Sequence, residues 1–224
     1  MPVCVFCGTA AEYIKLAPVL RRFDRERIAY RLIDSGQHAA SAVEVRAEHG
    51  IRSPDVMLGG RDDVDSLVDA VSWMLRMART LASRRRLRKE VFAGSSGVCV
   101  VHGDTLTTLA ATAMARRTGF AVAHIESGLR SRSWLHPFPE EAIRVAVMRR
   151  AQLLFPPDAT ATANLEAMEV TGDIVELPAN TIVESLAAVV GERLEDPGGG
   201  PALLTLHRVE NLHRRRRLTA FVAA

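Results

Sequence analysis

The chain is poor in cysteine, lysine and aromatic residues, and each shortage excludes something. Its three cysteines, Cys4, Cys7 and Cys99, are an odd and small set, which argues against a disulfide framework. Cys4 and Cys7 have the spacing of a metal or redox pair. Both fall in a short strand-like run, where residues three apart point to opposite faces, so they read as small buried hydrophobes and no metal site is expected. Of the 29 Lys and Arg residues only Lys15 and Lys89 are lysine. Aromatics make up 5% of the chain. None interleaves the two basic clusters, RRRLRK at 84–89 and HRRRR at 213–217, so base stacking has little support and no nucleic-acid partner is expected. Both clusters read as solvated helix faces. No apolar run reaches the ~18 residues of a membrane span, and no basic flank precedes an apolar core at the N-terminus. No membrane partner is expected, and a cytoplasmic location follows by default.

What is present is an ordinary globular composition, 48% hydrophobic and 25% charged over 224 residues, enough for one large domain or two small ones. Strand and helix patterns alternate. VCVFC is a buried strand, and YIKLAPVLRRF is helical, with Pro18 tolerable only in a first turn. IAYRLIDSG is a second strand, and AASAVEVRAEHG a helix closed by Gly50. Apolar positions from Val64 through Leu67, Val68, Val71, Met74, Leu75 and Ala78 to Leu81 recur at helical spacing. They predict one long helix over 64–90, packed on the sheet or on a second subunit. GVCVVHGD and FAVAHIESG are strands, with TLTTLAATAMARRTG as the helix between them. FPEEAIRVAVMRRA is a helix with acidic residues at the positive end of its dipole. QLLFPP, ATANLEAM, DIVELPAN and TIVESLAAVVG continue the alternation. Such repetition predicts an α/β fold, a doubly wound parallel sheet covered on both faces by helices. Residues 1–190 are expected to form this domain, with a Gly- and Pro-rich linker over 191–201. Residues 202–224 read as the first βα unit of a truncated second domain.

In open α/β sheets, ligands gather at the carboxyl ends of the strands. Polar groups fall there at Gly8 to Lys15, at His102, Gly103 and Asp104, at His124 and Glu126, at Glu140, Glu141 and Arg144, and at His207 and Arg208. Each has a plain explanation: Asp104 as an N-cap, Glu140 as a dipole complement paired to Arg144 at i+4, Glu126 as a surface residue. Several carboxylates and a histidine at one rim suit proton transfer.

The stretches GTAAEYIKLAP, SGQH, VHGDTLTTLA, HIESGLRS, PFPEEAIR and TLHRVENL occur in that order. They resemble the UDP-N-acetylglucosamine 2-epimerase family, whose usual versions are GTRPEAIKLAP, GQHREM, VHGDTTTTLA, HVEAGLRT, PWPEEANR and TGHRREN. The resemblance runs over essentially the whole chain and covers the amino-terminal half of such a protein. It implies a Rossmann-like domain of a GT-B-type two-domain fold. The implied enzyme interconverts UDP-GlcNAc and UDP-ManNAc by C2 deprotonation, UDP elimination and re-addition, with no cofactor. It implies Asp104, Glu126 and Glu140 as the acid/base set and His207 as the catalytic histidine near the diphosphate. It also implies Gly8, Lys15, His102, Arg144, Gln37 and His38 as substrate-binding, a UDP-sugar as partner, and a homodimer built on the long helix. A hydrolysing epimerase releasing ManNAc and UDP, or a degenerate nucleotide-sugar-binding domain, is the alternative. The chain departs from the pattern at Ala10, where the family has an arginine, at Ile143, where it has an asparagine, after His38, and at Pro178–Asn180. The turn at Gly8 is therefore expected to bind an anion through its backbone N–H groups alone. With the family's uridine site in the second domain, the isolated chain is expected to be inactive or weak.

Overall fold

The computed structural model describes residues 1–60, 62–133 and 138–190. The proposed linker at 191–201, the βα unit at 202–224 with His207, and the 213–217 basic cluster lie outside them. Seven strands form one sheet in the order β3-β2-β1-β4-β5-β6-β7, and every recorded pairing is parallel. They are β1 (Val3–Cys7), β2 (Tyr30–Asp34), β3 (Val56–Met57), β4 (Gly97–His102), β5 (Phe120–Ile125), β6 (Leu153–Phe155) and β7 (Asp173–Ile174). The helices are α1 (Ala10–Arg25), α2 (Ala39–Glu48), α3 (Leu67–Ala82), α4 (Arg84–Arg86), α5 (Leu106–Thr118), α6 (Glu140–Met148), α7 (Ala159–Ala167) and α8 (Thr181–Val190). The α/β reading thus holds, and the strand order reverses between β1 and β4, the switch point at which such sheets open a crevice.

Apolar residues fill both faces of the sheet. Cys4, Phe6, Cys99, Val101, Phe120 and Val122 pack on one side, and Val5, Cys7, Leu32, Val100, Ala123 and Ile125 on the other. Cys4 and Cys7 accordingly sit on opposite faces, as their odd spacing requires.

Two local expectations fail for identifiable reasons. Pro18 lies in the middle of α1 rather than in its first turn. A mid-helix proline strands the carbonyl four residues back, and here the Ser185 hydroxyl of α8 donates to that carbonyl, Ile14 O, at 2.5 Å. The single helix expected over 64–90 is broken instead. Ser83 leaves the helical region, its Oγ accepts the Arg86 N–H to start α4, and a π-helical turn follows at Leu87–Val91. The apolar periodicity runs through this break and hides it. In α3 the groups turned inward are Trp73, Met77 and Thr80. Trp73 is a core residue whose Nε1 donates to Ser35 O at 2.9 Å. In the 84–89 cluster, Arg86 pairs with Glu90 and Arg88 donates to Thr118 O.

At the end of β2, Asp34 is fully buried. It accepts from the Tyr13 hydroxyl at 2.7 Å and the Gly36 N–H at 2.7 Å, and it pairs with Arg46 at 3.3 Å. This knot ties α1, β2 and α2 together behind the switch point. Because a buried hydrogen bond to a charged group contributes about 1.5–3 kcal/mol, Tyr13→Phe should lower unfolding free energy by about that amount in urea titrations. A loss below about 0.5 kcal/mol would show that the bond contributes nothing net.

Candidate functional site

The site is assembled from four strand ends. After β1, Thr9 caps α1 and its side chain accepts the Glu12 N–H, while Glu12 reaches back to the turn in a reciprocal capping box. The Glu12 carboxylate does more than cap. One oxygen accepts the Gly8 N–H at 2.7 Å and the Thr9 N–H at 3.0 Å. The other meets the hydroxyls of Thr105 at 2.6 Å and Thr108 at 3.2 Å, on the far side of the switch point. The turn's N–H groups do hold a carboxyl oxygen, but it is the protein's own. Gly8 is therefore not a free substrate contact, contrary to the expectation that its N–H groups await a phosphate. Gly8 has no room for a side chain either: a Cβ there would stand 2.0 Å from Ser35 Oγ and 2.3 Å from Thr107 Oγ1. The carboxylate that ends β2, Asp34, is spent in the same way, so the two groups with which a dinucleotide fold grips its cofactor are both satisfied internally.

One turn along α1, Lys15 crosses to Glu126 at the end of β5, with Nζ 2.8 Å from both carboxylate oxygens. Glu126 has φ +63°, a left-handed conformation that costs a non-glycine residue about 1–3 kcal/mol and gathers at functional sites. Asn180 Nδ2 donates to the same carboxylate at 2.8 Å. His102 Nε2 lies 3.5 Å away, in contact but not aligned as a hydrogen bond. Burial opposes the Glu126 charge, but the groups around it, with Lys15 and Asn180 bonded to the carboxylate, outweigh it and hold the carboxyl below its usual range. Burial also pushes His102 down to about 3, so that ring is neutral near pH 7 and Lys15 is the charged partner.

Asp104 follows β4 and is not the helix cap. Thr105 takes that part, accepting the Thr108 N–H, which leaves the Asp104 carboxylate free to face the rim. Arg144 of α6 meets it at 2.5 Å, so Arg144 pairs across the site rather than with Glu140 on its own helix. Burial raises the Asp104 carboxyl; Arg144 pulls it down, while Glu126 and Glu140 add to the rise. Glu140 brings a buried Oε2 with no partner among the described residues. His124 is buried with Nε2 2.7 Å from Gly103 O, a donor to the turn that carries Asp104, and burial holds the ring down at about 4 despite that bond.

Gln37 and His38 belong to the neighbouring β2 end. Gln37 Oε1 accepts the Thr107 hydroxyl at 2.8 Å, while His38 precedes α2 and bridges to Asp63 through its backbone. Neither contacts the Asp104–Glu126 group through a recorded hydrogen bond. Sequence reading gave no role to Glu12, Glu141, Arg130 or Asn180. Glu141 is buried and binds Arg130 at 2.5 Å and the Ser131 N–H at 3.0 Å, with Arg144 at 3.8 Å. It braces the arginine that meets Asp104. The signals were there, in the second glutamate of PEEAIR, the arginine of SGLRS and the asparagine of PAN. Ile143, which departs from the family pattern, is buried in the core. A cavity of about 750 Å³ between α1 and α8 touches the site only through Asn180.

The arrangement presents two carboxyls of opposite tuning, each with its own cation, on one rim. The family model for UDP-N-acetylglucosamine 2-epimerase matches residues 21–224. The UDP-N-acetylglucosamine 2-epimerase of Methanocaldococcus jannaschii is 27% identical over 99% of this chain and 61% of its own length. That of Bacillus subtilis is 30% identical over 95% and 55%. A crystal structure of the M. jannaschii protein in complex with UDP-GlcNAc and UDP superposes with a TM-score of 0.79 at 29% identity, covering 100% of this chain and 61% of that one. A 2-epimerase structure from Listeria monocytogenes gives 0.79 at 26%, covering 95% and 56%. The chain spans about half the length of the curated relatives it matches, and over that span it belongs to the UDP-N-acetylglucosamine 2-epimerase family.

Proposed function

We propose that the rim of Asp104, Glu126, Lys15 and Arg144 takes a UDP-linked N-acetylated amino sugar and exchanges the proton at its C2, interconverting UDP-GlcNAc and UDP-ManNAc. The observation that carries this reading is the opposed tuning of the two carboxyls, Asp104 raised and Glu126 lowered. Paired groups pushed apart in this way assign acid and base roles. In the proposed step a carboxylate accepts the C2 proton, and the C–H electron pair becomes the C1–C2 double bond. The C1–O bond breaks and UDP leaves with its electron pair. Re-addition reforms the C1–O bond as the C1–C2 π pair takes up, on the opposite face, a proton derived from solvent, and the first carboxylate returns its proton to solvent.

Asp104, the more basic of the two, accepts the first proton. Glu126, held by Lys15 and Asn180, is fixed beside the opposite face, and Glu140 keeps Asp104 basic. Arg144 orients Asp104 and supplies positive charge near the departing diphosphate. His207 is assigned to the diphosphate on the family resemblance, together with the second domain that completes the cleft.

Deuterium entry at C2 in D2O, followed by proton NMR, tests the reading. It is measured for the chain and for its fusion to the remaining portion of the M. jannaschii relative. The fusion should exchange C2, and Asp104→Asn should slow it roughly 100- to 10,000-fold, the usual range for a lost general base. Equal rates in the variant and its parent would remove Asp104 from the chemistry.

A second copy of the chain is the proposed partner of α3, whose outer face shows Leu67, Val68, Val71, Met74 and Leu75 all exposed. A contiguous apolar face of this kind marks an interaction surface. Native mass spectrometry at micromolar concentration should give a dimer, and Leu75→Glu a monomer. A monomeric parent chain would end this proposal.

A further inference from the structure

Asp34, Asp104, Glu126 and Glu141 each have a cation within 4 Å. Glu12 is 2% exposed and has none among the described residues. A buried carboxylate without a cation is costly to ionise, even when hydrogen-bonded. Its hydrogen bonds also leave a donor missing. The Thr108 hydroxyl has one hydrogen, and its short contact, 2.6 Å, is to His102 O. Its other contacts, to Glu12 at 3.2 Å and to Thr105 Oγ1 at 3.0 Å, need hydrogens from elsewhere. The Thr105 hydroxyl directs its own hydrogen to Glu12 at 2.6 Å. A proton on the Glu12 oxygen supplies a hydrogen for its contact with Thr108, and the Thr105–Thr108 contact stays without one.

We propose that Glu12 is a positioning residue that works as a neutral carboxylic acid. It clamps the β1–α1 turn to the N-terminus of α5 and so sets the spacing between Lys15 and Asp104. The Lys15 ammonium, a turn further along α1, is committed to Glu126. The titratable group facing Glu12 from β1 is the Cys7 thiol, which burial keeps protonated. The groups facing it from α5 are hydroxyls, and β4 contributes the His102 carbonyl. Burial pushes Glu12 up to about 7 against the pull of the donors around it, the Thr105 hydroxyl and the Thr9 and Gly8 N–H groups foremost. The sign follows: a raised carboxyl contributes stability at acid pH that is lost as pH rises through about 7. His102 and His124, both lowered, act in the opposite direction at acid pH, so the comparison with Glu12→Gln isolates Glu12.

The functional half of this proposal rests on Asp104 as the acid/base group; the titration half does not. The test is carbon NMR of the chain labelled at its Asp and Glu carboxyls, titrated from about pH 4 to about pH 9. One glutamate should titrate near neutrality and vanish in Glu12→Gln. That isosteric variant should leave the Asp104 midpoint in place and flatten the fall of melting temperature between about pH 5 and about pH 8. Glu12→Asp, which withdraws the carboxyl by one methylene, should displace the Asp104 midpoint. Glutamates that all titrate in the ordinary acid range would overturn the proton on Glu12. An Asp104 midpoint unmoved in Glu12→Asp would overturn the positioning role. Neither readout needs turnover, so absent C2 exchange would count against the proposed reaction and leave these results interpretable.

Discussion

The Glu12 side chain holds the carboxyl ends of β1 and β4 together, and the rest of the site is arranged around that contact. A parallel sheet that reverses its strand order leaves a crevice at the reversal, with helix N-termini on both sides and their N–H groups unpaired. In many folds a phosphate fills that space. Here a side chain from the first turn of α1 fills it, reaching the N–H groups of Gly8 and Thr9 on one side and the hydroxyls of Thr105 and Thr108 on the other. Ala10, standing where the family has an arginine, adds no cation to draw a substrate anion into the turn. The proposed chemistry lies further along the rim, at Asp104 and Glu126.

The rim then follows from how each buried charge is met. Lys15 satisfies Glu126, and Arg144 meets Asp104 while leaning on Glu141. Arg130 and the Ser131 N–H hold Glu141. Such chains fix side chains that would otherwise sample many rotamers, and positioning of that kind is worth a large share of a catalytic barrier. The backbone at Glu126 is left-handed, and Lys15 and Asn180 grip its carboxylate.

Much of the fold was legible because parallel strands buried on both faces read as short apolar runs, and VCVFC, GVCVVH and FAVAHI are such runs. The polar residues that follow them include Asp104 and Glu126, which the structure brings near one another together with Lys15. The break at Ser83 was hidden because apolar periodicity persists across it. Pro18 was misplaced because the donor that makes it tolerable, Ser185, is distant in sequence. The buried contacts of Glu12 and Glu141 were hidden for a related reason. A glutamate in a first helical turn looks like a dipole complement, and only tertiary structure distinguishes that from a buried hub. Asn180 stood within a motif that seemed merely altered, and its contact to Glu126 spans 54 residues.

The measurement closest to the central claim is an amide NMR titration of the chain with UDP-GlcNAc. A site at the Asp104–Glu126 rim predicts the largest shifts at Gly103–Thr105, Glu126 and Asn180, with the Gly8 and Thr9 amides held still by Glu12. Shifts concentrated at Gly8 and Thr9 would mean that the ligand displaces Glu12 and sits in the turn, and would contradict the account.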